Sequence, residues 1–219
     1  MAERQRTAVL ISGRGSNLQA LIAACAQPDA SATIALVVSN RADAAGLDHA
    51  RRAGIATRVV PHREFATQTA FEDAVTAALV EHRIGLVCLA GFMRVLSPWF
   101  VERWRDRLLN IHPSLLPAFR GLDTHRRVLE AGVRFSGCTV HLVRAEVDDG
   151  PIVAQAVVPV RADDTEDSLA ARVLEAEHRC YPLALELIAS GRARVEGKRV
   201  LTDGAAAPSG LWINPPEPD

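Results

Sequence analysis

The chain has 219 residues, 48% of them hydrophobic and 23% charged, with a formal net charge of −1, which fits one soluble globular domain and gives no electrostatic footing for nucleic-acid or membrane-surface binding. Its cysteines, Cys25, Cys88, Cys138 and Cys180, form no C-x-x-C pair, and Lys198 is its single lysine, so a zinc ribbon, a redox dithiol and mechanisms needing a Walker-type or Schiff-base lysine are all excluded. No secretory h-region opens the chain and no apolar run reaches the roughly 18 residues of a membrane span, so a reduced, cytoplasmic protein is expected.

Residues 7–11 read as a short apolar strand, followed by the turn Ser12-Gly13-Arg14-Gly15-Ser16-Asn17 and helical spacing through Leu18, Leu21 and Ile22. Residues 33–38 repeat the strand signal, 44–53 read as helix closed by Gly54, 57–60 as strand and 67–82 as helix. Residues 86–90 form a continuous apolar run of the kind a doubly covered parallel strand needs, and Gly91-Phe92-Met93-Arg94 turns out of it. Ser97-Pro98 starts a helix through Phe100 and Trp104 that leads to a strand at Leu108. This βα alternation predicts an α/β fold: a mainly parallel, doubly wound sheet with ligand sites at the carboxyl ends of its strands. Gly15, Phe92 and His112 occupy such ends.

Residues 124–131 look helical, and 136–143 and 152–160 read as two strands able to pair antiparallel at one side of the sheet. A long helix begins near Asp164 or Thr165 and runs toward Ala189, with Pro182 a possible kink, and 194–201 form a small hairpin around Gly197. The organisation expected is a single domain over residues 1–203 and a disordered tail over 204–219.

Three stretches carry candidate chemistry. The Gly13-x-Gly15-Ser16-Asn17 turn can present backbone N–H groups and the Ser16 hydroxyl to an anion at a helix N-terminus; an ordinary capped βα turn is the equal alternative. A dinucleotide is disfavoured, because Leu18 replaces the third glycine of that fingerprint and the second strand ends in Ser39-Asn40 rather than an acid. In Leu108-Leu109-Asn110-Ile111-His112-Pro113, Asn110 and His112 stand two apart and so share one strand face, while Pro113 ends regular pairing just beyond them. Asn110 offers a donor for a developing oxyanion and His112 a titratable ring. Asp148-Asp149-Gly150-Pro151 adds a carboxylate on a loop, or is a plain turn. His141 reads as a structural residue inside a strand, and a His112/His141/Asp148 metal site lacks a recognisable ligand spacing. Ser114 lies in no nucleophile elbow, Glu177 is by default a surface acid, and Cys88 and Cys138 are packing residues.

Taken together, residues 9–20, Ala90-Gly91-Phe92-Met93-Arg94, Leu109-Asn110-Ile111-His112-Pro113-Ser114-Leu115-Leu116-Pro117 and Asp148-x-Gly150-Pro151 resemble the phosphoribosylglycinamide formyltransferases over residues 7–201. The resemblance implies a Rossmann-like formyltransferase topology and transfer of a formyl group from the co-substrate 10-formyltetrahydrofolate to the amine of 5-phosphoribosylglycinamide in purine synthesis, without a metal. It places Asn110, His112 and Asp148 at the family's catalytic positions, with Asn110 and a protonated His112 holding the oxyanion while Asp148 raises the His112 pKa and assists proton transfer. It puts the substrate phosphate on Gly15, Ser16 and Asn17, the rest of that substrate against Glu177, and the folate against Met93, Arg94, Val95, Leu96, Asn110, Val143, Arg144 and Asp148. A cis Leu116-Pro117 bond is also implied.

Two positions depart from the family's pattern. Gln68-Thr69 stands where Arg-Glu is common, so the charged contact to the folate tail is either absent or supplied by Arg63, and Asp123 has no assigned role. The expected partners are small molecules only, in a monomer or homodimer. Methionyl-tRNA formyltransferase and formyltetrahydrofolate hydrolase are rivals that would carry an extra domain, and a silent phosphate- or folate-binding module is the rival from another class.

Overall fold

The computed structural model describes residues 3–204, 210 and 212–214. Seven strands form one sheet in the order β3-β2-β1-β4-β5-β6-β7, from β1 (Gln5–Ile11), β2 (Ala32–Ser39), β3 (Ala56–Val59), β4 (Leu86–Leu89), β5 (Leu108–His112), β6 (Phe135–Leu142) and β7 (Ile152–Pro159). The first five run parallel; β6 pairs antiparallel with β5, and β7 antiparallel with β6. The sheet is therefore doubly wound on one side and a meander on the other, as the alternation and the two late strands predict.

Alternation within β1 shows how the sheet builds its two cores. Val9 and Ile11 face the layer that contains α1 (Ser16–Cys25), α2 (Gly46–Arg52) and α6 (Glu166–Ala189). Ala8 and Leu10 face the opposite layer, with Phe71, Val75 and Leu79 of α3 (Gln68–Glu81) and Phe100 of α4 (Pro98–Arg103). All four β1 residues are fully buried, so the continuous apolar run follows from helices covering both faces. The remaining helix, α5 (Thr124–Glu130), buries Val128 in the first layer.

Helix α6 runs through Pro182 without interruption for 24 residues. Its start is fixed by a capping box between Thr165 and Ser168, with Glu166 and Asp167 in the first turn where the dipole favours acids. Tyr181 anchors it to the sheet: its buried hydroxyl lies 3.0 Å from the Leu89 carbonyl and 3.1 Å from that of Leu109. No helix among the described residues is long and apolar enough to cross a membrane.

The hairpin of β8 (Ala193–Glu196) and β9 (Arg199–Thr202) forms as expected. Of the tail, residues 205–209, 211 and 215–219 lie outside the described residues. Within it, Asn214 packs back on the sheet, its amide donating to the Arg134 and Val160 carbonyls at 2.6 and 3.0 Å.

Strand order reverses between β1, whose crossover leads outward to β2, and β4, which lies on its other side. A crevice opens beyond the carboxyl ends of strands at such a point. The Gly13–Gly15 turn and Gly91 leave β1 and β4 there, and a cleft of about 490 Å³ lies between them.

Candidate active site

At the β1 exit, Gly15 adopts φ +79 and caps α1. A Cβ there would stand 2.6 Å from the Gly46 Cα, so only glycine allows this turn to pack against α2. The Gly46 N–H donates to the Gly13 carbonyl at 3.0 Å and closes the contact. The first N–H groups of α1 have no intrahelical partner, and no side chain caps them, so they remain available to an anion. Buried Ser12 ties this turn to the β4 exit: its hydroxyl lies 2.7 Å from Asn40 Oδ1 and accepts the Met93 N–H at 2.9 Å.

Glu177 is not the surface acid that sequence alone suggests. It is 7% exposed, because the covering face of α6 packs on α1 and the sheet. Asn17 donates to Glu177 Oε2 at 2.7 Å across the cleft floor. Burial raises the Glu177 pKa, with the Asn17 bond opposing.

Asn110, His112 and Asp148 do come together. Asn110 and His112 project from the last turns of pairing in β5, and the antiparallel register sets His141 of β6 opposite Asn110. Asn110 Nδ2 lies 3.2 Å from His141 Nε2, and the other ring nitrogen of His141 faces the Leu142 carbonyl at 3.3 Å. With its proton on Nδ1, His141 accepts from Asn110 and leaves the second amide hydrogen of Asn110 free; with a proton on Nε2, it points that proton toward Asp148. Asp148 Oδ1 is 3.6 Å from His141 Nε2, and Oδ2 is 3.2 Å from His112 Nδ1.

The opposite edge of His112 settles its tautomer. Nε2 lies 2.9 Å from the Phe119 carbonyl, which can only accept, so Nε2 carries a proton. In a neutral ring Nδ1 is then bare, facing a carboxylate. Burial lowers the His112 pKa, and outweighs the upward pull of the Phe119 carbonyl and the Asp148 charge. Asp148 thus pulls the His112 pKa upward, as expected, but loss of hydration is the larger effect and leaves it below the usual imidazole value. For Asp148, burial pushes upward, but His141, the Gly121 N–H at 2.9 Å and the neighbouring imidazoles hold its pKa below the usual carboxylate value.

Both loop partners of His112 use backbone that side chains rarely adopt: Phe119 at φ 55 and Asp148 at φ 53. Such conformations cost about 1–3 kcal/mol each and cluster at functional sites. The surrounding loop is braced. Thr139 Oγ1 donates to the Ser114 carbonyl at 2.7 Å and accepts the Leu116 N–H at 3.0 Å, while the Ser114 hydroxyl donates to Ala118 at 2.6 Å. Ser114 is thus a turn residue, and the Leu116–Pro117 bond is cis, as the resemblance implies.

The expected folate wall is largely exposed, Met93 at 72% and Val95 at 73%, with Arg94 exposed and Leu96 and Val143 half-buried beside them. Arg144 is already engaged, with Asp106 and the Val143 carbonyl. Gln68 donates to the Val95 carbonyl at 3.0 Å and to Glu72 at 2.9 Å, which braces this wall from inside. Glu72, only 1% exposed, also accepts the Ser97 N–H at 2.7 Å and its hydroxyl. Sequence reasoning passed over Ser12 and Glu72 and left His141 as structural. The place of His141 opposite Asn110 follows from β6 pairing with β5, a register that no local pattern in the sequence marks. Among the described residues, no group of three or more His, Cys, Asp or Glu is placed to hold a metal ion.

Residues 5–185 match the formyl transferase family. The chain is 47% identical to the phosphoribosylglycinamide formyltransferase of Escherichia coli, over 91% of this chain and 94% of that protein. It is 54% identical over 190 residues to the trifunctional purine biosynthetic protein adenosine-3 of Gallus gallus, of whose length it spans 19%. The structure of glycinamide ribonucleotide transformylase 1 from Symbiobacterium toebii superposes with a TM-score of 0.89 at 46% identity, covering 92% of this chain and 95% of that one. The chain belongs to the formyl transferase family, and within it to the phosphoribosylglycinamide formyltransferases.

Proposed function

We propose that this protein transfers the formyl group of 10-formyltetrahydrofolate to the amine of 5-phosphoribosylglycinamide, with Asn110, His112 and Asp148 as its catalytic residues. The observation that carries this reading is His112 Nδ1 held 3.2 Å from Asp148 Oδ2 beside the Asn110 amide. A lone pair facing a carboxylate is an arrangement that gains from one added proton, which both groups then share.

The chemistry supplies such a proton. As the amine nitrogen bonds to the formyl carbon, the carbonyl oxygen becomes an oxyanion and the nitrogen becomes positive. The free N–H of Asn110 stabilises the oxyanion. The amine proton passes to the His112–Asp148 pair, directly or through water, and the resulting imidazolium adds its charge beside the oxyanion. Collapse of the intermediate breaks the bond from carbon to N10 of the folate, and N10 takes the proton back. The imidazolium thus arises during the reaction instead of being present beforehand.

The ribonucleotide phosphate takes the N–H groups of Gly15, Ser16 and Asn17, and Glu177 contacts the rest of that molecule. The folate lies along Met93, Arg94, Val95 and Leu96 and the loop from Val143 through Arg144 to Asp148. The test is folate conversion measured with and without the ribonucleotide. Conversion only with it supports the transferase; conversion without an acceptor indicates hydrolysis, and none in either case leaves a binding module.

A further inference from the structure

We propose that Arg14 is the cation that neutralises the substrate phosphate, and that it makes the protein selective for the phosphorylated form of its glycinamide substrate. This rests on the proposed placement of a phosphate at the Gly15 turn and assigns a side chain that neither the fold nor the backbone N–H groups supply.

A phosphate monoester carries close to two negative charges at neutral pH, more than the partial positive charge of one helix terminus can balance. Three arginines line the cleft at the turn: Arg14, Arg41 and Arg94. Arg41 is already committed, with two bonds to Asp43 at 3.0 and 2.7 Å. Arg94 comes from the loop after β4, next to Met93, on the wall assigned to the folate. The only lysine, Lys198, lines a different cavity with Arg199 and Arg120. Arg14 remains: exposed, without a side-chain partner among the described residues, and placed between the two glycines of the turn itself. The guanidinium and the N–H groups of Gly15 and Ser16 therefore arise from one rigid segment, held by the Gly46 contact.

A second feature of the same cleft points to a ligand with a sugar attached to its anion. Asn17, 9% exposed, lines the cleft and keeps a buried side-chain oxygen without a hydrogen-bond partner. An orphaned acceptor beside an anion site fits a hydroxyl donor on the molecule that brings the phosphate.

The test compares KM for the ribonucleotide and for its dephosphorylated ribonucleoside in wild type, Arg14→Ala, Arg14→Lys and Arg94→Ala. Arg14→Ala should raise the ribonucleotide KM about tenfold, the equivalent of about 1.4 kcal/mol, with kcat within about twofold and the ribonucleoside KM unchanged. Arg14→Lys should recover most of the loss, and Arg94→Ala should move the folate KM instead. Equal effects on both substrates, or none, overturn the proposal. Titration of the wild type and Arg14→Ala with inorganic phosphate, followed at the Gly15 and Ser16 amide resonances, separates this from failure of the proposed reaction. Weaker phosphate binding in Arg14→Ala supports the role of Arg14 even in a protein that transfers no formyl group; unchanged or absent binding at the turn overturns it.

Discussion

The β1 and β5 exits are built on opposite plans. At the β1 exit, the proposed anion site is one continuous segment, its shape set by a glycine that meets the backbone of Gly46, and it offers mainly main-chain N–H groups. At the β5 exit, the proposed transfer centre is assembled from β5, β6 and two loops, it presents side chains, and non-glycine residues hold left-handed backbone to complete it. Holding a fixed charge needs only a rigid local turn. Moving a proton needs groups of different acidity brought within reach of each other, and one segment rarely supplies them.

The sharpest way to break the second plan is Asp148→Asn, which keeps size and polarity but removes the charge that holds the incoming proton. We expect kcat to fall about 10²- to 10⁴-fold with the far-ultraviolet spectrum unchanged; near-normal turnover would remove Asp148 from the chemistry. The first plan is broken by Gly15→Ala, which forces a Cβ against Gly46 at a positive φ. Thermal unfolding should show a loss of about 1–3 kcal/mol, and the ribonucleotide KM should rise more than the folate KM. An unshifted Tm and KM would mean that the turn yields freely.

Titration sharpens the comparison further. Because burial lowers the His112 pKa from the usual 6.5, the acid-side decline of kcat/KM should be centred below pH 6.5, as the pair takes up a proton before substrate arrives. A decline centred above 6.5 would contradict the neutral resting ring. The smallest effect concerns Glu177, whose folded pKa is raised by burial. A carboxyl raised in the folded state binds more protons there than when unfolded, so its contribution to stability falls as pH rises from about 4.3 through the folded value. Denaturant unfolding of Glu177→Gln across that range should lack this decline, and an identical pH dependence in both proteins would refute the assignment.

The same contrast explains what was legible in the sequence. The Gly13–Asn17 turn could be read from adjacent residues because strand, glycines and helix start are contiguous. The parallel sheet followed from alternation, and Asn110 and His112 from a spacing of two. His141 was missed as a site residue because its role depends on the register between β5 and β6, which no local pattern encodes. Glu177 read as a surface acid because helical periodicity does not show which face another helix will cover. The direction of the His112 shift depended on how deeply the ring is buried, and charge counting from sequence favoured Asp148 instead.

Buried Glu72, with its three donors from Ser97 and Gln68, carries a consequence for inheritance. Little water reaches this carboxyl, so losing the Ser97 hydroxyl would leave Oε2 without a donor, and removing the acid alone would leave the Ser97 N–H and hydroxyl without their acceptor. The two positions should therefore change together in related chains, an acid at 72 with a hydroxyl at 97. Lineages that lose one partner should be found to have lost the other.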